Sequence, residues 1–266
     1  MTSTRKKSRK KAPQTLRQVR PNAGIRAWYQ KQLDESIDDM QNSVVYWLKA
    51  AYRDTPFAQD ANPATVMRDA MRRLTQRWER HFDVMADKLA KRFADKSLNA
   101  SDVSLASALK DMGFTVQFKM TEPMRTAYQG VINENVNLIR SIPEQYLTQV
   151  ETMVMQSVQR GRDLATLTQD LQSRYGVTKR RAALIARDQN NKATSVMTSA
   201  RQQSLGVTHG IWRHSHAGAE PRKSHVEADG KQFELAKGMY IDGEWIMPGE
   251  KINCRCGWKP VIPGFD

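Results

Sequence analysis

Residues 206–263 read GVTHGIWRHSHAGAEPRKSHVEADGKQFELAKGMYIDGEWIMPGEKINCRCGWKPVIP. The period of the chain changes here. Upstream, apolar residues recur every three or four positions; within this stretch they come in short alternating runs separated by glycine and proline. Nine of the 14 glycines, four of the five histidines, both cysteines and three of the six tryptophans fall in residues 206–266, so the chemically specific side chains are concentrated in one short, turn-rich segment. Val207 to His214 and Ile252 to Val261 read as strands. Met239 to Met247 reads as a hairpin turning at Asp242-Gly243, since Asp-Gly readily supplies the positive φ values of a tight hairpin turn. The expected fold class is α+β, with a long, predominantly helical body over residues 23–205 and a small β-rich C-terminal module over residues 206–266.

Working back from Gly206, the helical body divides at its breakers. Thr178 to Leu205 carries an apolar stripe of Ala182, Ile185, Ala186, Ala193, Val196, Met197 and Ala200, closed by Gly206. Gln189 falls inside that stripe; a buried amide needs partners, and the backbone of the following β segment is the expected one. Asp163 to Tyr175 reads as a separate helix ended by Gly176. Pro123 to Arg140, with Met124, Tyr128, Val131, Asn135 and Leu138 on one side, reads as a helix broken at Ser141-Ile142-Pro143, after which another runs to Gly161. Ser101-Asp102 caps a short helix ended by Gly113, and Phe114 to Phe118 reads as a short strand or extended connector. The clearest helix starts at Asn62-Pro63 and carries Met67, Met71, Leu74, Trp78, Phe82, Met85, Leu89 and Phe93. Ile25 to Ala51 shows a stripe of Trp28, Leu33, Ile37, Met40, Val44, Trp47 and Ala51, and Thr55-Pro56 stops it.

The net charge of +14 is unevenly placed. Residues 1–33 contain ten Lys or Arg and no acid, which leaves 32 basic and 28 acidic side chains, or +4, in residues 34–266. Residues 1–22 lack an apolar period and read as a disordered basic arm. Arg5, Lys6, Lys7, Arg9, Lys10, Lys11, Arg17 and Arg20 are its candidate DNA-binding residues, because clustered cations neutralise phosphates without reading sequence. No run of apolar residues is long enough to span a bilayer, and no apolar segment follows the basic N-terminus, so neither a membrane anchor nor a signal peptide is expected. Two cysteines one residue apart suit a reducing site of synthesis better than a disulfide.

Two blocks stand together. One runs from Ile132-Asn133-Glu134-Asn135-Val136-Asn137-Leu138-Ile139-Arg140-Ser141-Ile142-Pro143 to Arg181-Ala182-Ala183-Leu184-Ile185-Ala186-Arg187-Asp188-Gln189-Asn190-Asn191-Lys192. The other is the C-terminal segment, with Trp212 on a strand, Arg222 and His225 before Asp229-Gly230, and Cys254-Arg255-Cys256 near its end. Together the blocks cover about half the chain. In this order they resemble the phage Mu protein F-like family of head morphogenesis proteins. The resemblance implies a structural minor head (capsid) protein of a tailed bacteriophage, acting in head morphogenesis at the portal. It implies the phage portal protein, capsid or scaffold proteins and non-specific double-stranded DNA as partners. It also implies residence in the virion, inside the head near the portal, after assembly in the host cytoplasm. No enzymatic activity and no cofactor are expected. Arg187, Asp188, Gln189, Lys192, Trp212, Arg222, His225, Asp229, Gly230, Cys254, Arg255 and Cys256 carry the motif.

Other chemistry stays open on the residues alone. His225, Cys254 and Cys256 are candidate Zn²⁺ ligands, with His209, His214, His216 or Asp229 as a fourth. Against this, thiols one residue apart on an extended strand point to opposite faces, which favours packed, metal-free cysteines. The histidines with Glu220, Glu227 and Asp229 are the residue types of a metal-dependent nuclease or other effector enzyme, and a non-viral DNA-binding helical protein is a further alternative. Arg222, His225 and Arg255 are expected to pin loops to carbonyls or to Asp229. Trp212, Trp245 and Trp258, each among Ile, Val or Met, are expected to centre the small module's core.

Overall fold

The structure is a computed structural model that describes residues 14–53, 63–160, 164–218 and 220–262. Four long helices come first: α1 (Ala23–Arg53), α2 (Pro63–Lys110), α3 (Glu122–Gln159) and α4 (Leu164–Ser204). They are followed by β1 (His209–Arg213), the short α5 (Lys223–Glu227), β2 (Gln232–Glu234), β3 (Met239–Ile241), β4 (Glu244–Ile246) and β5 (Gly257–Pro260). The fold is α+β. No helix among the described residues is long and apolar enough to cross a membrane.

The helices are fewer and longer than the breakers predict. Ser141-Ile142-Pro143 lies inside α3, and Gly176 and Thr178 lie inside α4. A proline within a helix costs about 3 kcal/mol and a glycine about 1 kcal/mol. Buried side chains on both sides of each breaker offset this: Ile139, Ile142, Tyr146 and Leu147 around Pro143, and Leu171 and Ala182 around Gly176. Each is worth about 1.5–3 kcal/mol for a large apolar side chain. Local bonding helps as well. Ser141 Oγ donates to Leu138 O at 2.7 Å, and Thr178 Oγ1 donates back to Arg174 O at 3.1 Å instead of capping a new helix. The Ser101-Asp102 pair likewise lies within α2, whereas Phe114 to Phe118 forms no strand.

The chain divides into two compact units, and the division is not the one expected at residue 205. Residues 22–98 and 128–193 form the helical unit. Its core takes Tyr29, Leu33, Ile37, Met40, Val44 and Leu48 from α1, where Tyr29 and Leu48 replace the expected Trp28 and Trp47. Trp47 is instead exposed. From α2 the core takes Met67, Met71, Leu74, Trp78, Phe82, Leu89 and Phe93, as the periodicity predicts, while Ala86 is buried in place of the expected Met85, which is only partly covered. The Tyr29 and Phe93 rings stack with centroids 4.5 Å apart.

The second unit gathers three separate stretches: residues 14–21, 99–127 and 194–262. Its antiparallel sheet has the order β2-β1-β5, with Gly210 opposite both Phe233 and Pro260, and Trp212 opposite Trp258. β3 and β4 form the expected hairpin, with Asp242 at φ 53° and Gly243 at φ 86°. Gly206, at φ 82°, ends α4: Val207 N–H donates to Gln202 O and Gly206 N–H to Gln203 O, the paired bonds of a Schellman closure. The core of this unit is Val207, Trp212, Phe233, Leu235, Ile241, Ile246 and Trp258. Trp245, expected among them, is 58% exposed and packs on Tyr240 at the hairpin surface. Position 245 faces out because Ile241 and Ile246 supply the hairpin's inward face.

The limit of the basic arm also moves. Thr15 bridges Val261, Leu16 N–H donates to Pro260 O, and Ile262 N–H donates to Gln14 O, each backbone bond at 3.0 Å. Leu16 and Val19 are buried with Leu105 and Ile262. Residues 14–19 are thus an ordered strap on the edge of β5, not part of a disordered arm over residues 1–22. A Leu and a Val three apart in Leu16-Arg17-Gln18-Val19 are the only apolar signal for it.

Candidate metal centre

The cysteines do not lie on an extended strand. β5 begins at Gly257, and Asn253 at φ 62° kinks the chain immediately before Cys254. A turn closed by Cys254 N–H donating to Lys251 O at 2.8 Å precedes it, and Ser195 Oγ of α4 donates to Pro248 O at 2.7 Å, holding the loop from behind. The geometric objection to a shared site therefore falls. His225 comes from α5, where its N–H donates to Arg222 O at 3.1 Å. Its ring stands edge-on to the fully buried Trp212, at 5.5 Å and 87°.

These elements bring His225 Nδ1 to 3.5 Å from Cys254 Sγ and 3.7 Å from Cys256 Sγ. All three potential ligand atoms lie within 4.8 Å of one another. His225 and Cys254 are buried, Cys256 is partly buried, and neither cysteine forms a disulfide among the described residues. The Cys256 thiol donates to Cys254 and lowers the latter's pKa to about 5 against the opposing effect of burial; amide N–H groups of Cys256 and Gly249 assist. The same bond, then burial, raises Cys256. Beside the cluster is a cavity of about 360 Å³, lined by His214, Glu220, Arg222, Asn253 and Arg255 as well as the cluster itself.

The neighbouring histidines have other engagements. His214 N–H donates to Asp229 Oδ1 at 2.9 Å, and its Nδ1 accepts the His216 N–H at 3.1 Å. Burial, then His216, lowers the His214 pKa. Asp229 also lies 3.7 Å from both Arg213 Nη1 and His216 Nε2. Burial raises the Asp229 pKa, but the His214 N–H and Arg213 outweigh it and hold the carboxyl below its ordinary value. Gly230, at φ 80°, turns the chain so that its N–H donates to Trp212 O at 2.9 Å. Arg222 Nη2 donates to Ile252 O at 3.0 Å, while Arg255 is exposed.

The remaining motif residues lie in the helical unit. Gln189 does not bond the β segment. It accepts from Asn135 Nδ2 at 2.9 Å and donates to Glu134 Oε1 at 3.0 Å, and Lys192 Nζ reaches the same Glu134 oxygen at 2.8 Å. Tyr29 Oη donates to Asn135 Oδ1 at 2.9 Å, so the buried network extends from α1 through α3 to α4. Arg187 Nε lies 3.8 Å from its neighbour Asp188. Of the arm residues, Arg17 Nη2 donates to Ser107 Oγ at 2.9 Å, and Arg20 is exposed. Arg5, Lys6, Lys7, Arg9, Lys10 and Lys11 lie outside the described residues.

Two contacts have no clear sequence signal. Trp258 Nε1 donates to Gln202 Oε1 at 2.8 Å. Arg201, 5% exposed, forks onto both oxygens of Asp102 at 2.8 and 2.7 Å and lies 4.8 Å over Phe118. Their polarity within the last turns of a long helix is the only cue.

The segment that joins the last third of α3, α4 and the clustered His and Cys residues matches a family model. Residues 148–258 match the model described as phage Mu protein F like protein. The matched Mu F-like segment contains every motif residue from Arg187 to Cys256; Ile132 to Pro143 precedes it. An uncharacterized protein of Haemophilus influenzae is 27% identical over 264 residues, covering 96% of this chain. The chain spans 57% of the length of that relative. No solved structure matches.

Proposed function

We propose that the chain is a structural minor head protein of a tailed bacteriophage. It acts in head morphogenesis at the portal and contacts packaged double-stranded DNA without sequence preference. The phage Mu protein F-like match over residues 148–258 carries this reading. The portal protein and capsid or scaffold proteins are its partners, and the head interior near the portal is its place. Six Lys or Arg and no acid in residues 1–13 supply the DNA contact, ahead of the strap that anchors residues 14–19.

The site favours a structural over a catalytic role. Asp229, the acid beside the histidines, is engaged by the His214 N–H, Arg213 and His216. It holds a loop in place, whereas a general base needs a free oxygen within reach of its substrate. Mass spectrometry of heads purified from a lysate of the phage that encodes the chain tests the assignment. The chain is expected at low copy in both procapsids and filled heads, and cross-linked to the portal. Its absence from both particles overturns the reading. So does cleavage of DNA or RNA by purified chain with Mg²⁺, Mn²⁺ or Zn²⁺ that stops when His225 is replaced.

A further inference from the structure

We propose that His225, Cys254 and Cys256 bind one Zn²⁺ through Nδ1 and the two Sγ atoms, stapling α5 to the segment that enters β5. Two of the three ligand spacings match the edges of a zinc tetrahedron. With Zn–S of about 2.3 Å and Zn–N of about 2.0–2.1 Å, a tetrahedral angle separates N from S by about 3.5 Å. The observed separations are 3.5 and 3.7 Å. The two sulfurs and the nitrogen lie within 4.8 Å of one another, so closing on an ion needs at most a small adjustment of side chains. Two thiolates and an imidazole form a soft donor set that selects zinc over magnesium or calcium.

The surroundings suit charged sulfur. Gly249 N–H donates to Cys254 Sγ at 3.4 Å. Trp212 Nε1, fully buried, has no ordinary hydrogen-bond partner among the described residues and bears on Cys256. Such N–H groups around ligating sulfurs orient them and disperse their charge. The edge-on Trp212 ring fixes the plane of His225. The fourth position opens on the 360 Å³ cavity. His214 lines that cavity, but its Nδ1 already accepts the His216 N–H, so water completes the sphere without moving a side chain.

The physical gain is cross-linking. α5 has five residues and the strands three to five, so little apolar surface holds residues 214–256 in register. A bound ion makes its binding free energy part of the folding free energy. The inference does not depend on the role in phage heads.

Full-length chain purified without a tag or chelator tests it by elemental analysis. One zinc per chain is expected, falling to trace in the Cys254→Ser/Cys256→Ser double variant and unchanged in His81→Ala, which alters a histidine of α2. Replacing zinc with Co²⁺ should produce thiolate-to-cobalt charge-transfer absorption and the visible bands of a tetrahedral centre. Chelation of wild type should open both thiols to alkylation, with helical circular dichroism retained, and added Zn²⁺ should close them again. The wild-type measurements stand even if the double variant fails to fold. Zinc at the double variant's level in wild type, no cobalt spectrum, and thiols equally reactive with and without Zn²⁺ overturn the proposal.

Discussion

The main-chain N–H of Leu16 donates to the carbonyl of Pro260 at 3.0 Å, across nearly the whole length of the sequence. This bond makes residues 14–19 part of the C-terminal unit and separates them in function from the basic residues before them. It also protects the outer edge of β5, which would otherwise offer unpaired backbone groups to another chain.

Removing residues 1–13 and disrupting the strap should therefore have different effects. Deletion of residues 1–13 is expected to weaken binding to duplex DNA and flatten its salt dependence, by up to about 0.9 in log–log slope for each phosphate no longer neutralised, with stability unchanged. Leu16→Ala, which empties a site 3% exposed, is expected to cost about 2–5 kcal/mol in urea unfolding and leave the salt slope alone. An unchanged slope after the deletion would remove the arm as the DNA contact.

The Trp258–Gln202 bond gives a second prediction. Gln202→Ala leaves the Trp258 indole N–H unpaired in the core, at an expected cost of about 1–3 kcal/mol. In a Trp258→Phe background the same change should cost clearly less, since no donor is stranded. Equal costs in the two backgrounds, read from urea midpoints, would show that the bond contributes nothing of its own.

In the helical unit, the network through Tyr29, Asn135, Gln189, Glu134 and Lys192 predicts a graded series. Asn135→Leu strands the buried Tyr29 hydroxyl and the Gln189 carbonyl oxygen together, so it should be more destabilising than Gln189→Leu, which leaves Asn135 its bond to Val131 O and Glu134 its bond to Lys192. Adding Tyr29→Phe to Asn135→Leu should recover about 1 kcal/mol or more, because the stranded hydroxyl is removed. Thermal melts of the three variants rank them.

Asp229 predicts an acid-sensitive contribution. Its folded pKa lies below the ordinary carboxyl value, so the charged form favours the folded state. That stabilisation is complete above the unfolded pKa near 4 and is lost as pH falls through the folded pKa. Asp229→Asn keeps an oxygen for the His214 N–H but no charge. The stability gap between wild type and Asp229→Asn should be constant above about pH 5 and shrink below about pH 4. A gap that widens with acid would reverse the assigned sign.

Local signals are legible where short-range physics decides. The stripe from Met67 to Phe93 (Met85 excepted), the Asp242-Gly243 turn and the Gly206 closure all appear in the fold as their residues predict. The buried α1 stripe lies one residue away from the expected one at both ends. Trp28 and Tyr29 are adjacent and similarly apolar; the buried bond from Tyr29 Oη to Asn135 selects Tyr29. Pro143 and Gly176 do not break their helices, because a local penalty of about 1–3 kcal/mol is smaller than the burial available on either side.

The sequence by itself determined the α+β class, the order of helices before strands, the concentration of His and Cys in the last segment, and the likeness to the phage Mu protein F-like family. Each rests on periodicity, turn chemistry or residue type within a few positions of the chain. Only the tertiary structure decided that residues 14–19 join the C-terminal unit, that Gln189 bonds Asn135 at a separation of 54 residues, that Trp245 faces out, and that Cys254 meets His225 at a separation of 29. Those outcomes depend on which distant segments share a core and where a single residue such as Asn253 takes a positive φ, and neither leaves a periodic trace in the sequence.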